Sequence, residues 1–409
     1  LNATVGMSGD YIVTVVDGNG CSDLATTTVV VNPLPVVDQV PDFSVCSGIA
    51  NNVNVDLSSN QDPDVTYSWT VANVGGDITG GAAGTGDPIN QTLTNAATTA
   101  QTIDYIVTGT NTITNCGSST MTFTVTVDPT PTIIGNSPIC AGGLNNTSVD
   151  LTGSGTPAAN PAWVITGGTG GATLTNPGSN TVTVTGTSVG TVDITYTDAN
   201  GCIATTTVIV NPVPAPIASN GGPYCVGDDI QLLLDLTGLT NSWVGPNSYT
   251  SNAEDPIILN GQLINAGDYT VTVTDAAGCS AAAMTTVVIN PLPTAIITGT
   301  TTICDGESTD LTFTLTGTGD FDIVYTDGTS NFNENGVVDG FTVSVSPSTT
   351  TTYTLVSVLD NGTGCVGTVS GTAIITVIPL PTAVISLAAG PICAGEDAVF
   401  TITGTPGAT

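Results

Sequence analysis

Ten cysteines and 33 carboxylates carry nearly all the reactive chemistry in this sequence, because it contains no lysine, arginine or histidine. Thiols serve as zinc ligands, as nucleophiles or as halves of disulfides. Zinc is disfavoured: no two cysteines fall within four residues of each other, and there is no imidazole to complete a tetrahedral set. Nucleophilic catalysis lacks its usual base, since neither a Ser-His nor a Cys-His arrangement can form and no lysine is present for a Schiff base. Among the acids, Asp228-Asp229 and Glu254-Asp255 are adjacent. Neighbours on a strand point to opposite faces and cannot flank one scissile bond, so both pairs read as solvated turn acids. The chain is expected not to be an enzyme.

Calcium is the one cofactor the composition admits, because it takes carboxylate and carbonyl oxygens. The acids nearest the repeat junctions are Asp38, Asp42, Asp128, Asp228, Asp305, Glu307, Glu396 and Asp397. No D-x-D-x-D-G loop occurs among them, so surface acidity is the plainer reading and the expected cofactor is none, with calcium the exception. Sequons at Asn2, Asn90, Asn145, Asn146 and Asn361 permit N-glycans in an exported chain.

The elements that must position these residues repeat. Five Pro-x-Pro junctions begin at Pro33, Pro129, Pro212, Pro291 and Pro379, each closing a β-branched run such as VTVDPTPTII or VVINPLPTAII. The period is roughly 85 residues, the mark of tandem domains. In the unit 291–378, TAIIT reads as a first strand and TTICDGES as a turn. STDLTFTLTG, FDIVYTDG, GFTVSVS, TTYTLVSVLD and SGTAIITV read as further strands. Short alternating strands with Gly, Asn and Asp turns indicate a β-sandwich. The hairpins DGNG, DANG and DAAG (17–20, 198–201, 275–278) supply the positive φ that tight turns need. Proline cannot donate to a ladder, and two residues of stiff extended backbone leave little slack. The expected architecture is all-β, with sandwiches stacked end to end as a rod. Its parts are a partial domain at 1–32, complete repeats at 33–128, 129–211, 212–290 and 291–378, and a partial domain at 379–409.

Aromatics recur at matched places: Trp69, Trp163 and Trp243 on the third strand, with Val324-Tyr325 in the fourth unit. Tyr11, Tyr105, Tyr269 and Tyr353 begin the penultimate strand, with Val192 in the remaining unit. A sandwich core uses such residues, and this reading is preferred to a sugar-binding stripe. The net charge of −33 repels nucleic-acid phosphate and anionic lipid alike. With 40% apolar residues and only 8% charged, the chain is nevertheless expected to fold. No apolar run approaches the ~20 residues that span a bilayer. No signal peptide is visible. The sequence opens mid-pattern at LNATVGMSGDYIVTVVDGNGC and ends mid-pattern at FTITGTPGAT, as expected for a window on a longer, processed protein. Without lysine or arginine it offers trypsin-like proteases no site.

The C-x-G turns at 46–48, 140–142, 225–227, 304–306 and 393–395, the run GDYTVTVTDAAGC (267–279) and the NPLP junctions carry a resemblance. Over essentially its whole length the chain resembles the PKD-like and immunoglobulin-like repeats of giant secreted surface proteins of Bacteroidota, of the gliding-motility adhesin type. The resemblance implies export by a type IX system, a C-terminal anchor beyond this window and a cell-surface location. The expected function is that of a non-enzymatic extracellular stalk or filament region of a bacterial adhesin. Its expected partners are neighbouring repeats, copies of the same protein, and surfaces or polysaccharide. A glycan- or surface-binding repeat, or an accessory region of a secreted depolymerase, are the rival readings.

Ten cysteines in an exported chain should be oxidised. They alternate between an early position before the second strand (Cys46, Cys140, Cys225, Cys304, Cys393) and a late one after the hairpin glycine (Cys21, Cys116, Cys202, Cys279, Cys365). In a sandwich these lie at opposite ends, with about seven residues of strand holding them roughly 23 Å apart. A disulfide needs Cα atoms within ~7 Å. Early cysteines should therefore meet the late cysteine of the following unit, giving Cys46–Cys202, Cys140–Cys279 and Cys225–Cys365. Cys21, Cys116, Cys304 and Cys393 are then left for units outside the window. Pairing within a unit, such as Cys140–Cys202, returns if the early cysteine lies higher on a split first strand.

Overall fold

Strand-forming residues dominate the chain, and strands dominate its structure. The computed structural model describes residues 2–118, 120–135, 138–387 and 390–406, so the extreme ends of the two terminal segments lie outside the described residues. The only helices among the described residues are two single 3-10 turns, Val5–Met7 and Leu263–Asn265. Two units are distinguished. One comprises Leu1–Val213 with Ala277–Cys279, and the other comprises Pro214–Ala276 with Ser280–Thr409.

The first unit holds two separate cores. One gathers Val53, Tyr67, Trp69, Ile103, Tyr105, Phe123 and Val125 with their neighbours. The other is built on Trp163, Val182, Val184, Val192, Ile194, Tyr196, Val208 and Val210. That second sandwich shows the layering clearly. One sheet runs Ile133–Ile134, Ser148–Gly153, Thr181–Ser188, Gly171–Thr175; the other runs Ile139–Cys140, Ile203–Asn211, Gly190–Thr197, Trp163–Gly168. Alternation does the sorting: in Gly190–Thr197, Val192, Ile194 and Tyr196 are buried while their neighbours are not. The hairpin Gly9–Val16 with Ser22–Val29 also belongs to this unit and is exposed on both faces.

The second unit likewise holds two cores, one around Leu232, Trp243, Tyr269 and Val271, the other around Ile297, Phe313, Ile323, Tyr325 and Ile375. The fold is thus a series of β-sandwich domains. All three tryptophans are core residues. Each indole nitrogen donates to a backbone carbonyl, of Ala82, Ser179 and Glu254 respectively, as a buried indole must. The hydroxyl of Tyr269 reaches back to Asn265 O at 2.8 Å and that of Tyr11 to Met7 O at 2.9 Å, fixing the entry to the penultimate strand.

One reading of the unit 291–378 changes, and one strand is added to it. TTIC is not part of a turn: Thr301–Cys304 is a strand, paired in parallel with Thr372–Ile378. Its two threonines are exposed and only Ile303 is buried, so it lacks an alternating signature long enough to recognise. The polar stretch Asn331–Val337 is also a strand, held by its hairpin with Phe321–Thr326 rather than by an apolar face.

With no cations, cross-strand ion pairs are replaced by another contact. Asp10, Asp104, Asp193 and Asp268 each sit directly opposite a threonine on the last strand: Thr28, Thr124, Thr207 and Thr286. Each threonine hydroxyl donates to the facing carboxylate at 2.6–2.7 Å. Such charge-assisted bonds are stronger than neutral ones.

Truncating Trp163 to alanine is expected to cost about 3–5 kcal/mol, the usual penalty for an aromatic core cavity. Denaturant unfolding should show an early transition for that domain alone. An unchanged profile would mean the indole is not a core element.

Candidate functional site

The sites with repeated, built geometry are the cysteine joints. The early cysteine ends a short strand that pairs in parallel with the last strand of the same domain. The register aligns Cys46 with Asp128, Cys140 with Asn211, Cys225 with Asn290 and Cys304 with Ile378. The late cysteine sits at the other end of that last strand: Cys202 immediately precedes Ile203–Asn211, and Cys279 immediately precedes Ser280–Val287. Cys140 and Cys202 are therefore separated by nine residues of extended chain, about 30 Å.

The structure joins Cys46 to Cys202, Cys140 to Cys279 and Cys225 to Cys365, with Cα–Cα distances of 5.5, 5.7 and 5.7 Å. Sequence separations of 156, 139 and 140 residues place each partner beyond the next Pro-x-Pro junction. Cys140, Cys202, Cys279 and Cys365 are fully buried. Cys21, Cys116, Cys304 and Cys393 are unbonded.

Local sequence aims both ends. At the late end, the carboxylate of Asp198 accepts the amides of Asn200 and Cys202 at 3.0 and 2.9 Å, and Asp17 does the same for Asn19 and Cys21. Gly201 then turns the chain at φ 83°, a conformation that favours glycine. At the early end, an acid three residues on accepts the cysteine amide: Asp228 for Cys225, Glu307 for Cys304 and Glu396 for Cys393. Three of the acids proposed for calcium are thus turn caps. Asp42 accepts Thr124 N and Asp38 accepts the Ser58 hydroxyl. Among the described residues, no three acidic or thiol side chains converge tightly enough to hold a metal.

Asp128 is different. It is only 5% exposed, and burial together with the neighbouring Asp198 carboxylate raises its pKa. Sequence reasoning named Asp128 among the acids but had no signal for its burial, nor for Asp198 beside it. Burial arises from the chain around residues 95–100, where Asn95 ties Thr99 O to Val127 O across the strand end.

The most prominent cavity elsewhere in the first unit, about 860 Å³, lies beside Leu57, Asp62, Tyr67 and Asp87. Its polar groups are already engaged: Tyr67 donates to Asp62 at 2.7 Å, and Asp87 accepts Leu57 N. Burial and the Asp62 carboxylate push the Tyr67 hydroxyl up to about 12, so it is a donor and not a base at neutral pH.

Residues 43–131 match the model of the PKD-like domain family. No curated protein matches the chain. Among solved structures, it is similar to the N-terminal eight Ig domains of Down Syndrome Cell Adhesion Molecule, at 14% identity and TM-score 0.31 over 92% of this chain and 59% of that one. The chain thus spans little more than half of that fragment. The three N-terminal domains of the highly immunogenic outer capsid protein of bacteriophage RB49 align at 15% identity, TM-score 0.32, over 61% of this chain and 99% of that one. The insect immune protein hemolin aligns at 12% identity, TM-score 0.25, over 85% and 100%. Among the described residues, no helix is long and apolar enough to cross a membrane.

The raised pKa of Asp128 has a defined sign. The native state holds that proton more tightly than the unfolded chain, so the charged carboxylate costs stability above its folded pKa and the cost vanishes below its unfolded one. In chelator-containing buffer at pH 7, Asp128→Asn should raise the unfolding midpoint by on the order of a few degrees, and the gain should disappear near pH 3. A pH-independent difference would contradict the assignment.

Proposed function

We propose that this chain is a tension-resisting stalk or filament segment of an exported bacterial surface adhesin, non-enzymatic in itself, with the repeats at 33–128, 129–211, 212–290 and 291–378 as its links. Copies of the same protein, surfaces or polysaccharide are the partners of the larger molecule. The adhesin type and its type IX export rest on the resemblance of the C-x-G, GDY and NPLP sequences to such repeats.

One observation carries the mechanical reading: the disulfide loops interleave. Cys140 lies inside the loop closed by Cys46–Cys202, and Cys225 lies inside the loop closed by Cys140–Cys279. The covalent path from Cys46 to Cys365 therefore jumps to Cys202, follows the main chain to Cys225, and jumps again. That path contains 23 residues (202 to 225) instead of the 319 from 46 to 365. At ~3.5 Å per residue it is about 80 Å long, against about 1,100 Å for the unstapled chain. A load pulling on the two ends meets a short covalent strap before any sandwich can pay out its length. A binding module has no need of this property; a tether does.

Constant-force tweezers with handles outside Cys46 and Cys365 test it. The oxidised protein should hold its length under loads that unfold single sandwiches, and reductant should release several hundred ångströms in steps. Equal stepwise lengthening with and without reductant would overturn the proposal. Retention of the isolated chain on polysaccharide, combined with that result, would favour the binding reading.

A further inference from the structure

We infer a calcium-class cation site at the joint inside the first unit, built on the carboxylates of Asp128 and Asp198. Both acids line one cavity of about 230 Å³, together with Thr98, Thr99, Thr156 and Asn200. Asp128 is 5% exposed and Asp198 8%. No described group donates a hydrogen bond to the Asp128 carboxylate, and Asp198 uses only Oδ1, on the amides of Asn200 and Cys202.

Asp360 shows what a satisfied buried acid looks like in this protein. It is 1% exposed, and its two oxygens take the amides of Gly362 and Thr318. Asp128 lacks any such partner and faces a second buried carboxylate. A buried charge without a partner is costly, and a like charge beside it adds to the cost. The chain has no lysine, arginine or histidine, so nothing in it can neutralise the pair.

The lining chemistry selects the ion. The lining residues carry two carboxylates, threonine hydroxyls and an asparagine amide, all hard oxygen donors of the kind calcium takes, with water completing its six to eight ligands. Soft-metal chemistry is absent from the cavity. The place is equally specific. Asp128 stands opposite Cys46, while Asp198 holds the amide of Cys202, so an ion shared by the two acids closes the same joint as the Cys46–Cys202 disulfide. At the other joints the residue aligned with the early cysteine is Asn211, Asn290 or Ile378, which carries no charge. With only two carboxylates, the affinity belongs with extracellular modules, on the order of 10⁻⁴–10⁻³ M.

The experiment uses the full oxidised chain and calcium chloride, followed by calorimetric titration and by thermal unfolding in millimolar calcium against chelator. The wild type should bind one ion tightly enough to titrate, and its midpoint should rise by a few degrees. Asp128→Asn should remove both responses while folding normally, and Asp104→Asn, elsewhere in the same sandwich, should keep them. Asp198→Asn should also lose binding, but it disturbs the hairpin at Cys202, so Asp128→Asn is the deciding variant. An equal rise in sodium chloride of matched ionic strength, or an unchanged calcium response in Asp128→Asn, would overturn the site.

Discussion

The parallel pairing of a short cysteine-bearing strand with the last strand of its own sandwich is the constraint on which the joints depend. Backbone hydrogen bonds fix its register, so that Cys140 stands at Asn211 and cannot approach Cys202 at the far end of the same strand. A disulfide tolerates a Cα separation of at most ~7 Å, and the strand imposes about 30 Å. The thiol must look beyond its own domain. The same register recurs in four domains, so interleaving follows from a local rule applied repeatedly, with no need for a long-range instruction in the sequence.

The absence of cations shapes everything around that rule. Carboxylates have no ammonium or guanidinium to meet, so they are used as acceptors for hydroxyls and amides. Asp10, Asp104, Asp193 and Asp268 clamp the last two strands through threonine. Asp17 and Asp198 shape the hairpin before the late cysteine, and Asp228 and Glu307 shape the turn after the early one. Covalent bonds then do between sandwiches what ion pairs do in other proteins. Loops of 139–156 residues are long enough that each staple contributes on the order of 4–5 kcal/mol in the chain-entropy description, less where loops overlap. Asp128 stands apart because no described group donates to its carboxylate, while Asp198 beside it accepts two amides through Oδ1 alone.

How much of this could be read from the sequence depended on whether a residue's role was local. Period-two alternation and the Asp-Gly and Asn-Gly hairpins identify the all-β sandwich, and the indoles with Tyr105, Tyr269 and Tyr353 mark its core, because burial on a strand follows directly from position; Tyr11, read the same way, is exposed. The two cysteine positions were visible for the same reason. The strand Thr301–Cys304 was not, since four residues with one buried side chain are held by the neighbouring strand and leave no pattern. Asn331–Val337 escaped because its hairpin partner, and not its own apolar face, defines it. Asp228 and Glu307 were placed near the junctions, yet their capping of a cysteine amide needs the turn geometry to be seen. The burial of Asp128 depends on a loop some thirty residues earlier in the chain, and no local signal reports it.

The most direct test of this account is the map of disulfide bonds in the purified chain. Cleavage at Asp and Glu without reduction, followed by mass spectrometry, should recover linked peptides for Cys46–Cys202, Cys140–Cys279 and Cys225–Cys365, with Cys116 and Cys304 as separate thiols. A linked peptide joining Cys140 to Cys202, or Cys225 to Cys279, would show that the early cysteine does not lie at the end of the domain its strand register assigns, and would contradict the account at its base.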